Sequence, residues 1–163
     1  MVSVEAWCFP QNLFKRVYSI FARGILMTAP ASLESVQDWT TRLIAICLQK
    51  KGAYIDHPFG LDSTIIKVEG RIFAQFFQLR GQACVTLNCD RMSGDFYRQL
   101  YEGIVVRGYH CPPVQQPYFN TMPLSGQVPY DTVLKMIEHS YTTVVGKLPK
   151  YKQKRLLEQN SSF

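Results

Sequence analysis

Residues 65–89 read IIKVEGRIFAQFFQLRGQACVTLNC, and this stretch decides the fold. It contains three apolar segments, Ile65–Val68, Arg71–Leu79 and Gln82–Cys89, with only two residues between one segment and the next. The connecting pairs are Glu69-Gly70 and Arg80-Gly81, and each places a glycine where a tight hairpin needs a positive φ. The stretch therefore predicts an antiparallel meander of three strands.

The third strand of this meander alternates between apolar and polar residues. Ala83, Val85 and Leu87 point one way, while Gln82, Cys84, Thr86 and Asn88 point the other. This pattern is typical of a sheet with one covered face and one face that is at least partly wet. The middle strand is apolar on both faces, as expected of a central strand. Helices from the rest of the chain must cover the apolar face.

Helices are predicted on both sides of the meander in the sequence. Spacings of three and four between apolar residues predict one from about Leu33 to Lys51, with Ser32 as its N-cap and Gly52 as its end. A second starts at Asp90 or Ser93 and ends at Gly103, a third starts at Pro129, and a short basic helix covers 150–159. Residues 53–60 form a loop or a short edge strand, and strands are predicted at 104–107 and 118–124. The fold class is therefore α+β.

The chain of 163 residues is long enough for one domain with a substantial core. We assign residues 31–158 to that domain, 159–163 to a frayed tail, and 1–30 to a poorly ordered extension, with Met27 as an alternative start. A targeting signal or an amphipathic membrane-surface helix are the other interpretations of the first 26 residues. No apolar run is long enough to span a membrane. The five scattered cysteines fit a reducing compartment, so we expect a cytoplasmic protein without cofactor.

The net charge of +6 is a property of the ends of the chain. Residues 28–145 carry ten Lys and Arg against ten Asp and Glu, whereas residues 146–163 carry five basic residues and one Glu. The body alone therefore does not indicate a phosphate-binding groove, and the C-terminal end is where a polyanion would be attracted.

Four short segments together resemble the MmcQ/YjbR family of small bacterial proteins. They are the Asp56-His57-Pro58-Phe59-Gly60 loop, the hairpin Val68-Glu69-Gly70-Arg71-Ile72-Phe73-Ala74, the pair Gly108-Tyr109-His110 and Asn120-Thr121, and the ending His139-Ser140-Tyr141 with Lys147-Leu148-Pro149-Lys150. Their order and spacing match from about Ala31 to Leu157. One difference is that Pro117, Tyr118 and Phe119 stand where family members usually carry a basic residue, His and Trp before the Asn.

The resemblance implies a two-layer α+β fold in which helices cover one face of an antiparallel sheet, in the order α-β(3)-α-β(2)-α. This fold is similar to the CyaY-like and type III secretion chaperone folds. The family is often labelled DNA-binding, so DNA is the partner that the resemblance implies. A fold analogy alone does not establish a function.

The candidate nucleic-acid-binding residues follow from this partner and from the charge at the C-terminus. They are Lys147, Lys150, Lys152, Lys154 and Arg155, together with Arg107 as a further phosphate contact, Tyr109 and His110 at the margin, and Asn120 as a polar contact near the proline-rich loop. Tyr151 lies within the basic cluster and could stack on a base. Arg71 would join this surface if the fold brings it to the same side. The alternative for the cluster is a solvated helix end, where cations also suit the helix dipole.

Other polar residues indicate structure more than chemistry. His139 and Tyr141 are expected to hold the proline-rich loop against the last helix, because buried polar groups need partners. Cys111 follows His110, but adjacent residues of a strand point apart, which argues against a nucleophile–base pair. The cysteines and histidines have no metal-binding spacing. We therefore expect neither catalysis nor a metal site.

The alternative function is a protein-interaction adaptor or a chaperone-like module. Phe73, Phe77 and Leu79 are expected to share one sheet face that the helices cannot cover completely. An exposed apolar face of this kind would favour binding of a protein or self-association.

Overall fold

The computed structural model describes residues 33–57 and 63–158. The predicted extension, the possible start at Met27, the Ser32 cap and the C-terminal tail lie outside these residues, as does the whole Pro58–Gly60 segment. The elements are α1 (Leu33–Leu48), β1 (Ala53–Asp56), β2 (Ser63–Val68), β3 (Arg71–Leu79), β4 (Gln82–Asn88), α2 (Arg91–Leu100), β5 (Val106–Arg107), a 3-10 helix (Gln116–Tyr118), β6 (Phe119–Pro123), α3 (Tyr130–Gly146) and α4 (Lys150–Glu158).

Six strands form one antiparallel sheet in the order β1-β2-β3-β4-β6-β5. The three-strand meander at its centre is confirmed, and so is the α+β fold class. Gly70 and Gly81 have φ near +80°, and Glu69 and Arg80 before them also lie in the left-handed region. Both hairpins therefore turn on two residues with positive φ, which is the geometry of the tight turns that connect twisted strands. The edge strand β1 and the basic helix α4 extend the family's expected element order.

The main core lies between the sheet and the helices. Leu43 of α1, Val133 and Ile137 of α3, and Leu156 of α4 are buried in it against Val85 and Leu87 of β4, with other residues of the sheet. Tyr97 of α2 packs against the same cluster. All four helices therefore contribute to one face of the sheet. None of the helices in the described ranges is both long and apolar enough to cross a membrane.

The second face of the sheet is more covered than the alternating pattern predicted. Cys84 and Thr86 point away from the main core, and yet both are buried. The face predicted to be at least partly wet is therefore covered at Cys84 and Thr86, whereas Gln82 and Asn88 on the same side are half-buried. The cover is the segment 108–119, whose proline-rich sequence prevents it from forming a helix or a central strand.

A β-bulge places Phe73 on the opposite face of the sheet from the face that the sequence pattern predicted. Lys67 pairs with Ile72 and Ile66 pairs with Ala74, so Phe73 is the extra residue of β3. This insertion moves Phe73 into the main core, where it is fully buried, while Phe77 lies on the opposite face. The prediction that Phe73 and Phe77 share an exposed apolar face is therefore wrong.

Candidate functional site

The basic C-terminal cluster is largely paired with carboxylates. Arg155 donates hydrogen bonds to both carboxylate oxygens of Glu69, at 2.6 and 2.5 Å, and Lys152 lies 3.5 Å from the same carboxylate. Lys154 forms an i,i+4 pair with Glu158. The hydrogen bond from Arg155, with help from Lys152, lowers the pKa of Glu69. Three of the five predicted cations are therefore partly neutralised on the protein itself.

Lys147 and Arg71 line one groove of about 410 Å³. Arg71 begins β3 just after the hairpin turn, and Lys147 follows the last residue of α3, so the groove lies between the hairpin and the end of that helix. The Lys147 ammonium lies 3.4 Å from the side-chain oxygen of Asn88 and 5.9 Å from the ring of Tyr118. Neither cation forms an ion pair with a carboxylate in residues 33–57 and 63–158, and no carboxylate lines the groove. We call it the Arg71–Lys147 groove.

Arg107 lies on a different surface. It belongs to β5, where it pairs with Asn120 of β6, and it does not line the Arg71–Lys147 groove. Its charge acts on Asp95 of α2, whose pKa is lowered mainly by the hydrogen bond from Arg98 and further by nearby positive charges that include Arg107. The structure therefore brings Arg71, and not Arg107, to the side of the basic cluster.

Tyr109 and His110 cover part of the second sheet face. The Tyr109 ring stacks on Phe77 with 6.4 Å between centroids, and the His110 ring contacts Phe77 edge-on at 4.8 Å. The backbone N–H of Tyr109 donates to the hydroxyl of Thr121 at 3.0 Å, which fixes the start of the segment on β6. Both residues are exposed, so they remain accessible to a ligand at the margin of the predicted nucleic-acid-binding surface.

Asn120 is an interior residue. It is fully buried, its side-chain oxygen accepts a hydrogen bond from Arg98, and its side-chain nitrogen donates to the carbonyl of Gly94 at 3.4 Å. Its amide therefore ties α2 to β6. This position leaves no surface on Asn120 for the nucleic-acid contact that the sequence assigned to it.

His139 and Tyr141 have structural partners, but not the predicted ones. His139 lies 2.9 Å from the carboxylate of Asp90, the residue that caps α2. Tyr141 donates its hydroxyl hydrogen to the carbonyl of Lys51, in the turn between α1 and β1. His139 and Tyr141 therefore hold the start of α2 and the α1–β1 turn against α3. They do not hold the proline-rich loop, which other residues fix.

The second face of the sheet contains a cavity of about 630 Å³. We call it the sheet cavity. Its floor is formed by β2, β3 and β4, and its wall by the segment 108–119. Its lining is mostly apolar, with glutamine amides, and includes Phe77, Phe119, Gln75, Gln78, His110 and Cys111.

His110 and Cys111 both face the sheet cavity because residues 109–111 form a turn. The argument that they point apart as strand neighbours is therefore wrong. Burial nevertheless raises the pKa of the Cys111 thiol, which disfavours the thiolate that a nucleophile needs. Burial raises the pKa of Cys47 to about 12 and that of Cys89 to about 11. Among the residues that the structure describes, no three His, Cys, Asp or Glu side chains could together hold a metal ion.

Comparison with protein families gives a match to the model described as YjbR, over residues 48–143. The matched range holds more than half of the chain, including all six strands and α2. The chain belongs to the YjbR family. The match includes the whole lining of the sheet cavity and Arg71, but it ends before Lys147 and α4.

The YjbR relatives include the uncharacterized protein YjbR of Escherichia coli K12, which is 24% identical over 118 residues. That alignment covers 72% of this chain and 97% of the relative. The corresponding YjbR protein of Escherichia coli O157:H7 matches equally well. The solved structures include a Deinococcus radiodurans protein with a DUF419 domain, with a TM-score of 0.65 and 23% identity over 72% of this chain and 86% of that one. A Pseudomonas syringae protein has a TM-score of 0.53 and 15% identity over 63% of this chain and 96% of that one. These structures support the YjbR fold.

Proposed function

We propose that this YjbR-family chain is a non-enzymatic module that binds nucleic acid through phosphate contacts at the Arg71–Lys147 groove. The observation that carries the proposal is that two cations from distant parts of the sequence line one groove without a carboxylate. Phosphate groups favour such sites because each contact releases a condensed counterion from the nucleic acid. Lys150 and Tyr151 begin α4 close to Lys147 in sequence, and both are exposed, so they can extend the contact.

The remaining cations of the cluster have a weaker role in this proposal. Lys152 and Arg155 share the carboxylate of Glu69, and Lys154 pairs with Glu158. They raise the local potential but have fewer free hydrogen-bond donors for phosphate. Tyr109 and His110 lie beyond the groove, beside the sheet cavity.

Fluorescence anisotropy with labelled DNA across a salt series tests the proposal. We expect affinity to fall steeply as salt rises, with a log–log slope that becomes less steep by about 1 to 2 in the double variant Arg71→Gln/Lys147→Gln. The matched control is Arg80→Gln/Lys135→Gln, which removes two exposed cations that do not line the groove. Absence of binding at low salt would reject the proposal, and so would equal slopes for the two double variants.

A second candidate function is self-association through α2. Met92, Phe96 and Leu100 recur every four residues, and they are 80%, 56% and 56% exposed. On the inner side of α2, Gly94 is buried and Tyr97 packs against the main core. Arg91 and Asp95 lie beside the stripe, and Asp95 already pairs with Arg98, so a second copy would bury mainly the apolar side chains. In this candidate, the exposed apolar surface that mediates protein interaction is the α2 stripe and not the sheet face that the adaptor hypothesis proposed.

Sedimentation velocity tests this second candidate. Phe96→Glu should convert a dimer to a monomer at high salt without loss of stability, because the ring is mostly exposed. Val114→Glu is the control, since Val114 is an exposed apolar residue outside the stripe. A wild-type protein that stays monomeric at high concentration rejects the candidate.

A further inference from the structure

The sheet cavity and the Arg71–Lys147 groove are neighbours with a common wall. Ile72, Gln115 and Phe119 line both of them. Arg71 precedes Ile72 directly, so the cationic groove opens beside the apolar cavity. One ligand can therefore occupy both, with its anionic part in the groove and its apolar part in the cavity.

The lining of the sheet cavity suits a flat heterocycle. Phe77, Phe119 and the His110 ring provide aromatic surface, while Gln75, Gln78 and Gln115 carry amides that can both donate and accept hydrogen bonds. No carboxylate lines the cavity within the described ranges. Its volume of about 630 Å³ lies within the range of small-molecule sites, about 300–1,000 Å³. Aromatic rings and amides are the groups that recognise unstacked bases.

We propose that the sheet cavity receives one unstacked nucleobase, whose adjoining phosphate lies between Arg71 and Lys147. This inference rests on the proposed function and specifies its ligand as a single strand. A base within a duplex is stacked and paired, and it would have to leave the helix to enter the cavity. A free nucleotide has the same base and phosphate, so the experiment must separate the two sources.

The first part of the experiment compares ligands on the unmodified protein. We expect a labelled single strand to bind more tightly than a duplex of the same sequence. An abasic strand with the same phosphates should lose between about 5-fold and about 150-fold in affinity, which corresponds to the loss of one stacked base. Equal affinity for the abasic and the intact strand overturns the inference but leaves phosphate binding at the groove intact. Absence of binding by any strand at low salt rejects the proposed function itself.

The second part uses Cys111 as a probe of occupancy. Cys111 lines the sheet cavity but not the groove, and it is the one described cysteine that is not buried. In a Cys8→Ser background, an intact strand should slow alkylation of Cys111 at mildly alkaline pH, and the abasic strand should not. Equal protection by a free mononucleotide at the same concentration as the strand identifies nucleotides as the ligand and overturns the single-strand assignment.

Alkylation with a bulky maleimide then blocks the cavity chemically. The modified protein should bind intact and abasic strands equally, because only phosphate contacts remain. The control is the Cys8→Ser protein incubated with the same maleimide after the reagent has been quenched by excess free thiol, and it should keep its preference for the intact strand. If the blocked protein keeps this preference, the base binds elsewhere and the inference is wrong.

Discussion

Asp90 connects the start of α2 to α3. Its carboxylate accepts hydrogen bonds from the backbone N–H and the hydroxyl of Ser93, at 2.9 and 2.7 Å, and it lies 2.9 Å from His139. The bonds from Ser93, and then the proximity of His139, lower the pKa of Asp90 from 3.8 to about 2. The folded state therefore favours the ionised carboxylate more than the unfolded state does.

Replacing Asp90 with alanine should lower the free energy of unfolding at neutral pH by about 0.5–2 kcal/mol, the usual cost of losing an N-cap. Because the folded pKa lies below the unfolded value, the contribution of Asp90 is complete above pH 3.8 and is lost as the pH falls towards about 2. Denaturant unfolding of wild type and variant across this range measures the difference. Glu102→Gln, at an exposed residue, should change little. A constant difference down to pH 2 would contradict the assignment.

Ser140 satisfies the backbone at the β-bulge. Its buried hydroxyl donates to the carbonyl of Phe73, the extra residue of β3. Ser140→Ala should cost about 1–3 kcal/mol, because it leaves a buried carbonyl without a partner. Chemical denaturation measures this, with Thr142→Ala on the exposed side of the same helix as control. A cost equal to that of the control would show that the bulge does not depend on Ser140.

Helix α4 is attached to the body by one buried leucine, by ion pairs, and by hydrogen bonds from the Gln153 side chain to the carbonyls of Gly146 and Leu148. Leu156 is 3% exposed and packs beside Gly52, where an added Cβ would lie 2.5 Å from the leucine side chain. Leu156→Ala should destabilise the protein by about 2–5 kcal/mol. Leu157→Ala is a matched control, since that side chain is 68% exposed. Thermal unfolding compares the two, and similar midpoints would mean that α4 is not part of the cooperative unit.

Glu69 competes with any phosphate for the cations of α4. Glu69→Gln frees Arg155 and Lys152, so it should tighten nucleic-acid binding and steepen the salt dependence by about 1 to 2 in log–log slope. Stability should fall by up to about 1 kcal/mol, because the Arg155 side chain is 57% exposed although that of Glu69 is only 12% exposed. Anisotropy titrations measure the slope, and Glu158→Gln, which frees only Lys154, serves as control. An unchanged slope would exclude α4 from the interface.

The elements of the sheet were predictable because local signals specify them. Gly70 and Gly81 identified the two hairpin turns, and apolar residues spaced by three and four identified the buried faces of α1 and α3. The bulge at Phe73 was not predictable, because an apolar strand looks the same with or without one extra residue. The burial of Thr86 depends on the distant segment 108–119, and alternation within one strand cannot reveal it.

The candidate site was predictable only in part for the same reason. The charge at the C-terminus was visible, but its pairing with Glu69 requires the hairpin and α4 to meet. Arg71 could be assigned to the groove only after folding placed it beside Lys147. Asn120 belonged to the family motif, and its burial explains that position as a link between α2 and β6.

At the scale of the whole molecule, stability and binding should respond differently to salt. Residues 28–145 carry equal numbers of positive and negative side chains, and most ion pairs among the residues that the structure describes are partly exposed. Rising ionic strength should therefore leave the thermal midpoint nearly constant while nucleic-acid affinity falls by tenfold or more. Thermal scans and titrations in the same buffers test this. A midpoint that falls in parallel with affinity would show that ion pairs are essential to the fold.

The sheet ends in very short strands on both sides. The edge strands β1 and β5 have four and two residues, so each edge of the sheet offers few unpaired backbone donors and acceptors to another molecule. Long, flat borders allow strands to add from chain to chain and start fibres. Because the edge strands are short, the long central strands are not available to pair with strands of another molecule. A concentrated solution of the folded protein should therefore resist amyloid growth.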